Sequence, residues 1–234
     1  LDDQLNMANQ SLEIRYQIIK KRKDQNLLPY LTQKSEGDQY FRLENMTRTI
    51  VPIGLNEAVQ TLMGKGVAED YGKAFIVTER ILKHISAYTK KHAKKPQTRL
   101  TTAIIPNRAA AKRLARLDVE KYGWGVAKTQ GTKENPYYSD INMVSIHEKE
   151  KLSLEELMHQ LTPGGHLTLI ETEDQQPSPE KLLAKTKQLA TSNIGFFSFN
   201  LSLTHCHNCK TTSHGTHLKC PNCSSTNILT LTNL

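Results

Sequence analysis

The sequence predicts an α/β fold followed by a small cysteine-rich tail. Strand-like and helix-like segments alternate along most of the chain, which is typical of α/β architectures with largely parallel strands. All four cysteines lie near the end, as Cys206-x-x-Cys209 and, after ten further residues, Cys220-x-x-Cys223. We therefore expect an α/β portion at residues 1–200 and a separate tail at residues 201–234.

Length and composition indicate a folded protein. With 234 residues and 37% hydrophobic content, the chain can bury a core of ordinary size. Its net charge of +8 favours an anionic partner, either nucleic acid or a phosphorylated small molecule, without choosing between them. No apolar run reaches the length of a membrane span and residues 1–4 do not resemble a signal peptide, so we expect a cytoplasmic protein with no membrane partner. Because the chain opens on Leu1, we expect it to be a piece of something longer.

The first elements follow from apolar spacing. A stripe at three- and four-residue steps from Leu5 predicts a helix that ends in the basic run 20–23. That run is either a solvated helix end or a phosphate-binding group. Residues 26–37 are expected to form a connector, and residues 47–53 a strand.

Two helices come next. Asn56 suits the N-cap of a short helix, Glu57 complements the first turn and Gly64 ends it. Apolar spacing from Tyr71 predicts a long helix that closes on lysines before Pro96.

A strand at 100–105 precedes a helix at 108–122, in which Ala110, Leu114 and Leu117 are expected to face inward. Residues 123–138, which contain Trp124, the only tryptophan, then read as a long glycine-rich loop. Such a loop is either functional or a flexible surface segment.

The last third alternates strand and helix. A strand at 141–146 is followed by a helix that opens with a capping box at Ser153–Glu156. A turn at 163–165 leads to a strand at 166–170. The next helix is capped by Ser178 and has Pro179 in its first turn, and a strand at 196–199 follows it. The residues expected to face inward in this helix are Leu182, Leu183, Thr186, Leu189 and Ala190.

The cysteine spacing predicts a structural zinc ribbon. Each Cys-x-x-Cys turn presents two thiolates, and four of them complete the tetrahedral shell that zinc prefers, leaving no open position for chemistry. The ligands would be Cys206, Cys209, Cys220 and Cys223. Two disulfides, four free thiols or an iron–sulfur cluster are the alternatives. Four histidines nearby could replace a ligand, although surface positions suit them better: His205, His207, His214 and His217.

Motifs of common enzyme classes are absent. The sequence contains no P-loop, no Gly-x-Gly-x-x-Gly after a strand and no nucleophile elbow, and no cysteine stands outside the tail. The residues alone therefore predict an α/β domain with a zinc ribbon and assign no reaction to it.

Five segments resemble, in order, those of the anaerobic, class III ribonucleoside-triphosphate reductases. They are Gly54-Leu-Asn-Glu-Ala-Val59, Asp118-Val-Glu-Lys-Tyr-Gly123, Asn135-Pro-Tyr-Tyr-Ser-Asp140, Leu161-Thr-Pro-Gly-Gly-His166 and Phe196-Phe-Ser-Phe-Asn200 running into the cysteines. The family also has a four-cysteine zinc site there, shortly before its glycyl-radical loop. Asp140 stands where the family usually has Asn.

The resemblance implies a partial α/β barrel of the glycyl-radical-enzyme type. In the family, a glycyl radical and a finger-loop cysteine reduce the ribose 2′-position of a nucleoside triphosphate. We expect both to lie outside this chain, which would hold no catalytic residue and would be inactive alone. Tyr138 and Ser139, immediately before a predicted strand, are expected to line the substrate site, although packing tyrosines with solvated hydroxyls are equally compatible with the pattern.

The sequence is compatible with two function classes. The first is a fragment or subunit of the reductase, which makes deoxyribonucleotides for DNA replication. Its partners would be the remaining part of the reductase, the nucleoside triphosphate substrate and an iron–sulfur radical activase, with a homo-oligomer as the complete form. The second is a zinc-ribbon module that binds nucleic acid. The second requires stacking aromatics and basic residues around the ribbon, where the sequence provides few basic residues.

Overall fold

The computed structural model describes residues 1–39, 41–93, 99–139, 146–172 and 177–231. Contacts between Cα atoms divide the chain into two compact units, Leu1–His166 and Leu167–Leu234, called unit 1 and unit 2 below. The mixture of helices and strands agrees with the predicted class. The barrel and the boundary at residue 200 remain predictions. Among the described helices, none is long and apolar enough to cross a membrane.

Unit 1 is mainly helical. Its helices are α1 (Asp2–Asp24), α2 (Pro29–Thr32), α3 (Leu55–Met63), α4 (Tyr71–His92), α5 (Arg108–Tyr122) and α6 (Glu148–Leu161), with a 3-10 turn at Leu43–Asn45. Its strands are β1 (Lys34–Ser35), β2 (Asp38–Gln39), β3 (Arg48–Ile50), β4 (Leu100–Thr102), β5 (Gln130–Gly131) and β6 (Pro136–Tyr137).

Helix α4 lies at the centre of the unit 1 core. Its buried Ala74 and Leu82 pack in one apolar cluster with residues of α3 and α6. Its buried Ile85 belongs to a second cluster with residues of α1, β3 and β4. The apolar spacing that predicts this helix therefore corresponds to its core-facing side.

The turn at residues 163–165, which follows α6, is hydrogen-bonded to the backbone of β4 and the residues just after it. Strands β3 and β4 pair in parallel, and a parallel bridge between Ile104 and His166 extends the arrangement. The Gly164 N–H donates to the Thr102 carbonyl at 2.8 Å, and the Ile104 N–H donates to the Gly165 carbonyl at 3.0 Å. A Cβ on Gly164 would lie 2.7 Å from the Thr102 carbonyl oxygen, so this close approach requires glycine.

Two predicted helix starts are wrong. Helix α3 begins after Gly54, which has a φ of 80°, and Asn56 lies buried inside the helix. Helix α6 begins at Glu148, so the predicted capping box lies within it, where the Ser153 hydroxyl donates to the carbonyl of Lys149. Short polar side chains can bond in several local or tertiary geometries, and here they do not serve as caps. Gly64 does end α3, with a φ of 75°.

The inward faces predicted for two helices are partly wrong. In α5, Ala111 and Ala115 are buried, whereas Leu114 and Leu117 are exposed and Ala110 is half-buried. The face of α5 that packs is thus built from small residues, which permit a close approach that leucines would prevent.

In α7 (Pro179–Ala190), Leu189 is buried and Leu182 and Thr186 are half-buried, but Leu183 and Ala190 are exposed. Its predicted start is confirmed, since the Ser178 hydroxyl accepts a hydrogen bond from the Lys181 N–H and Pro179 occupies the first turn.

Two segments expected to be loops contain short antiparallel hairpins. The predicted connector at 26–37 contains α2 and strand β1, which pairs with β2 just after it. The predicted loop at 123–138 contains the paired strands β5 and β6. The predicted strand at 141–146 falls, except for Ile146, outside the described residues. So do Asp140 and the lysines and proline expected after α4, namely Lys94, Lys95 and Pro96.

Unit 2 contains two small sheets. The first sheet is a parallel pair of strands, β7 (Thr168–Glu171) and β8 (Phe197–Asn200), which α7 separates in the sequence. They correspond to the strands predicted at 166–170 and 196–199. Strands β9 (Leu203–Cys206), β10 (Thr212–His214) and β11 (Ile228–Leu231) form an antiparallel sheet with β9 in the middle. This second sheet carries the cysteines.

Candidate functional site

The four cysteines of unit 2 converge on one point. Their sulfur atoms all lie within 4.8 Å of one another. The Sγ atoms of Cys206 and Cys223 are 3.6 Å apart, and those of Cys209 and Cys220 are 3.5 Å apart. Sulfurs that share a tetrahedral zinc ion, with bonds of about 2.3 Å, stand about 3.8 Å apart. The cluster therefore has the size of a four-thiolate metal site.

The two Cys-x-x-Cys turns have the same backbone geometry. In one, the Lys210 N–H donates to the carbonyl of Cys206 at 3.0 Å, and in the other the Ser224 N–H donates to the carbonyl of Cys220 at 2.9 Å. Lys210 and Ser224 both have a positive φ, 59° and 57°. Two equivalent strained turns that aim four thiols at one point are an arrangement a metal would stabilise.

The chemistry of the thiols fits a cation better than disulfides. All four cysteines are free, and their sulfurs are too far apart for an S–S bond of about 2.05 Å. The Thr211 hydroxyl, 2.8 Å from the sulfur, lowers the pKa of Cys209 to about 5. The Ser225 backbone acts to lower the pKa of Cys223, but the thiol of Cys209, burial and the other two thiols raise it to about 12. A divalent cation would remove this conflict by stabilising all the thiolates together.

None of the four nearby histidines has a ring nitrogen in the group of candidate metal ligands that the cysteines form. His205 shares a hydrogen bond with the Thr212 hydroxyl, and His217 shares one with the carbonyl of His214. His207 is exposed. The candidate metal ligands are therefore the four cysteines.

A second site surrounds the carboxylate of Glu57 in unit 1. One oxygen, Oε1, accepts from the Ser139 N–H at 3.0 Å, from the Ser139 hydroxyl at 2.5 Å and from the Gln130 amide at 3.1 Å. The neighbouring Asn56 amide donates to the Ser139 oxygen at 3.3 Å and accepts from the Val67 N–H at 3.1 Å. The first turn of α3 thereby fixes the backbone that follows β6.

Tyr138 is held by two other elements. Its hydroxyl donates to the carboxylate of Asp118 on α5. Its ring lies against Gly54, where an added Cβ would come within 3.0 Å of it. Burial, and then the hydrogen bond to Asp118, raise the pKa of Tyr138 above its ordinary value of 10.0. We call Asn56, Glu57, Asp118, Gln130, Tyr138 and Ser139 the polar cluster.

Sequence reasoning brought out Tyr138 and Ser139 but missed the residues that hold them. Glu57 lies in the first turn of α3, as predicted, but it is also 2% exposed and acts as the common acceptor. Asn56, predicted as the N-cap, lies one residue inside the helix. An acidic residue at a buried helix start requires hydrogen-bond donors. Gln130, in the loop at 123–138, and Ser139, just after it, supply them.

Sequence reasoning also missed a group at the end of α6. The His166 Nε2 and the Glu155 Oε2 lie 2.6 Å apart, and both side chains are buried. The rings of His159 and His166 meet edge to face, with centroids 4.8 Å apart. Burial, and then His166, lower the pKa of His159.

The polar cluster joins three of the segments singled out in the sequence. Asn56 and Glu57 come from the first, Asp118 from the second, and Tyr138 and Ser139 from the third. A sequence profile described as anaerobic ribonucleoside-triphosphate reductase matches residues 1–232. The chain belongs to this reductase family.

Individual relatives agree with the family match. The anaerobic ribonucleoside-triphosphate reductase of Enterobacteria phage T4 is 24% identical over 164 residues, which are 68% of this chain and 24% of the phage protein. The chain thus spans about a quarter of that curated relative.

Solved structures show the same fold at low identity. The anaerobic ribonucleotide reductase from Thermotoga maritima, in complex with dATP and CTP, superposes with a TM-score of 0.74 at 18% identity, covering 95% of this chain and 35% of that one. A second structure, of an anaerobic ribonucleotide reductase, has a TM-score of 0.76 at 18% identity, with coverages of 95% and 34%. The chain spans about a third of these reductase chains.

Proposed function

We propose that this chain forms part of the catalytic α/β barrel of an anaerobic reductase that converts ribonucleoside triphosphates to deoxyribonucleotides by glycyl-radical chemistry. The observation that carries the proposal is the polar cluster, since it links three separate family segments through the carboxylates of Glu57 and Asp118. We place the activity in the cytoplasm, as a supply of precursors for DNA replication. Binding of nucleic acid is not favoured, given the family to which the chain belongs.

Within this proposal, Tyr138 and Ser139 line the substrate site. Both hydroxyls are directed toward carboxylates of the chain, so their positions are fixed before a substrate arrives. Their oxygens retain acceptor capacity for a ribose hydroxyl. Preorganised polar groups of this kind orient a substrate without having to reorganise during the reaction. Glu57 then acts as a positioning residue for Ser139.

The cysteine cluster is proposed to hold zinc through Cys206, Cys209, Cys220 and Cys223. Four protein thiolates fill a tetrahedral shell, so the metal would stabilise the fold of the tail. The division into an α/β portion at residues 1–200 and a zinc-ribbon tail at 201–234 is part of the same proposal.

The remaining part of the reductase is the main proposed partner. The finger-loop cysteine and the radical glycine of the family would come from it, an iron–sulfur activase would generate the radical, and the complete enzyme would be a homo-oligomer. This chain alone is expected to have no reductase activity.

The experiment is an anaerobic assay of the full-length protein that contains this chain. After treatment with the activase, it should convert at least one ribonucleoside triphosphate to the 2′-deoxy product, whereas the isolated chain should not. Absence of product with all four ribonucleoside triphosphates, from protein with a verified glycyl radical, would contradict the proposal.

A further inference from the structure

A second group of metal-ligand side chains lies in unit 1, away in sequence from the cysteines. It consists of Glu155, His159 and His166, whose ligand atoms all lie within 4.8 Å of one another. The side chains of Glu155 and His166 are 1% and 0% exposed, and His159 is half-buried. A buried carboxylate beside two imidazoles is uncommon in a protein core, because burying each polar group costs free energy.

Rigid elements hold all three positions. Glu155 and His159 stand four residues apart on α6, so both project from the same side of the helix. His166 follows the turn that is bonded to Thr102 and is itself bridged to Ile104. The geometry is therefore set by the backbone on both sides of the group, as a preformed site requires.

We propose that Glu155, His159 and His166 bind a divalent transition-metal ion, with zinc as the best match. Two imidazoles and one carboxylate form a ligand set that zinc uses when it keeps a fourth position for water. Magnesium and calcium prefer all-oxygen shells, so the two imidazoles argue against them. This inference is independent of the proposed reductase function and of the cysteine cluster.

The metal would take the place of a proton. The Nε2 of His166 and the Oε2 of Glu155 share a hydrogen bond at 2.6 Å. Two ligand atoms on a tetrahedral zinc, with bonds of about 2.1 Å, stand about 3.4 Å apart, so the pair must separate slightly and release its shared proton. The half-buried His159 provides the side from which the ion enters. Once bound, the ion would link α6 to the strand pair β3–β4.

The test uses the tag-free, full-length chain in which all four cysteines are replaced by serine. Equilibrium dialysis should show one zinc ion bound per chain. Bound cobalt(II) should give a visible spectrum without the thiolate charge-transfer band that the wild-type cysteine cluster produces. His159→Gln in this background should weaken zinc binding at least tenfold, while His147→Gln, an exposed histidine just before α6, should leave it unchanged.

The unmodified chain provides a second measurement that does not depend on the serine variant folding well. It should bind one zinc ion more than its His159→Gln variant, whatever the cysteine cluster holds. A single ion in the unmodified chain, removed by the cysteine changes, would overturn the proposal. So would equal zinc affinity of the His159→Gln and His147→Gln variants.

Discussion

Ser139 donates twice to a single oxygen of Glu57, from its backbone N–H at 3.0 Å and from its hydroxyl at 2.5 Å, across 82 residues of sequence. Gln130 donates to the same oxygen. The start of α3 and the end of the β5–β6 hairpin are therefore linked through one buried carboxylate. A carboxylate oxygen can accept several hydrogen bonds at once.

Glu57→Ala should lower the free energy of unfolding by about 3 kcal/mol, because three half-buried donors lose their shared acceptor. Urea denaturation followed by circular dichroism measures the loss. Glu120→Ala, an exposed site on α5, is the control and should change the same quantity by less than about 0.5 kcal/mol. Equal effects of the two changes would show that the Glu57 contacts contribute little.

Tyr138→Phe should cost stability in a pH-dependent way. The pKa of Tyr138 is raised in the folded state, so the stability from its neutral hydroxyl is fully present below the ordinary value of 10.0 and is lost as the pH rises through the folded value. The difference in free energy of unfolding between wild type and variant should therefore be largest near pH 8 and should shrink above pH 10. Urea denaturation at several alkaline pH values measures it.

Tyr137→Phe is the matched control for this experiment, because Tyr137 is adjacent in sequence and 41% exposed. The free energy of unfolding of Tyr137→Phe should differ little from that of wild type at every pH. If the difference in free energy of unfolding between wild type and Tyr138→Phe stays constant from pH 8 to above pH 10, the pKa of Tyr138 is not raised.

Gly164→Ala should destabilise unit 1 by about 2 kcal/mol, because the new methyl group would lie 2.7 Å from the carbonyl oxygen of Thr102. The midpoint of urea unfolding should fall accordingly. Gly72→Ala, in the first turn of α4 with nothing within 4 Å of the added Cβ, should be neutral or stabilising by up to about 1 kcal/mol. Wild-type stability of Gly164→Ala would mean that the turn moves freely away from β4.

Cys206→Ser should remove one zinc equivalent and loosen the tail while unit 1 keeps its fold. Cys206 is 1% exposed and belongs to the central strand β9, so loss of its metal bond should propagate through the small sheet. Metal analysis, limited proteolysis and circular dichroism measure these effects. Unchanged zinc content, or an iron–sulfur chromophore in the wild-type protein, would contradict the assignment.

The sequence predicts local features better than tertiary ones. The long helix α4 and the bounds of α5 follow from apolar spacing and end signals, which are local properties. The grouping of the cysteines follows from ligand spacing. The packed face of α5 could not be predicted, because its alanines are selected by a neighbour distant in sequence.

The same limit applies to the candidate site. Resemblance to the family singled out Tyr138 and Ser139, but their anchoring to Glu57 and Asp118 depends on side chains brought together from 82 and 20 residues away. The pairing of Glu155 with His166 likewise arises from a turn between them and leaves no periodic signal in the sequence.

Turnover of the complete enzyme tests whether the polar cluster lies at the substrate. Ribonucleotide reduction should be measured anaerobically for wild type, Tyr138→Phe, Ser139→Ala and the control Tyr137→Phe, with zinc content and glycyl-radical yield checked for each protein. Tyr138→Phe and Ser139→Ala should lower turnover at least tenfold. Turnover of Tyr137→Phe, and the zinc content and radical yield of every variant, should equal those of wild type. Wild-type kinetics in both variants would contradict the placement of the polar cluster at the substrate.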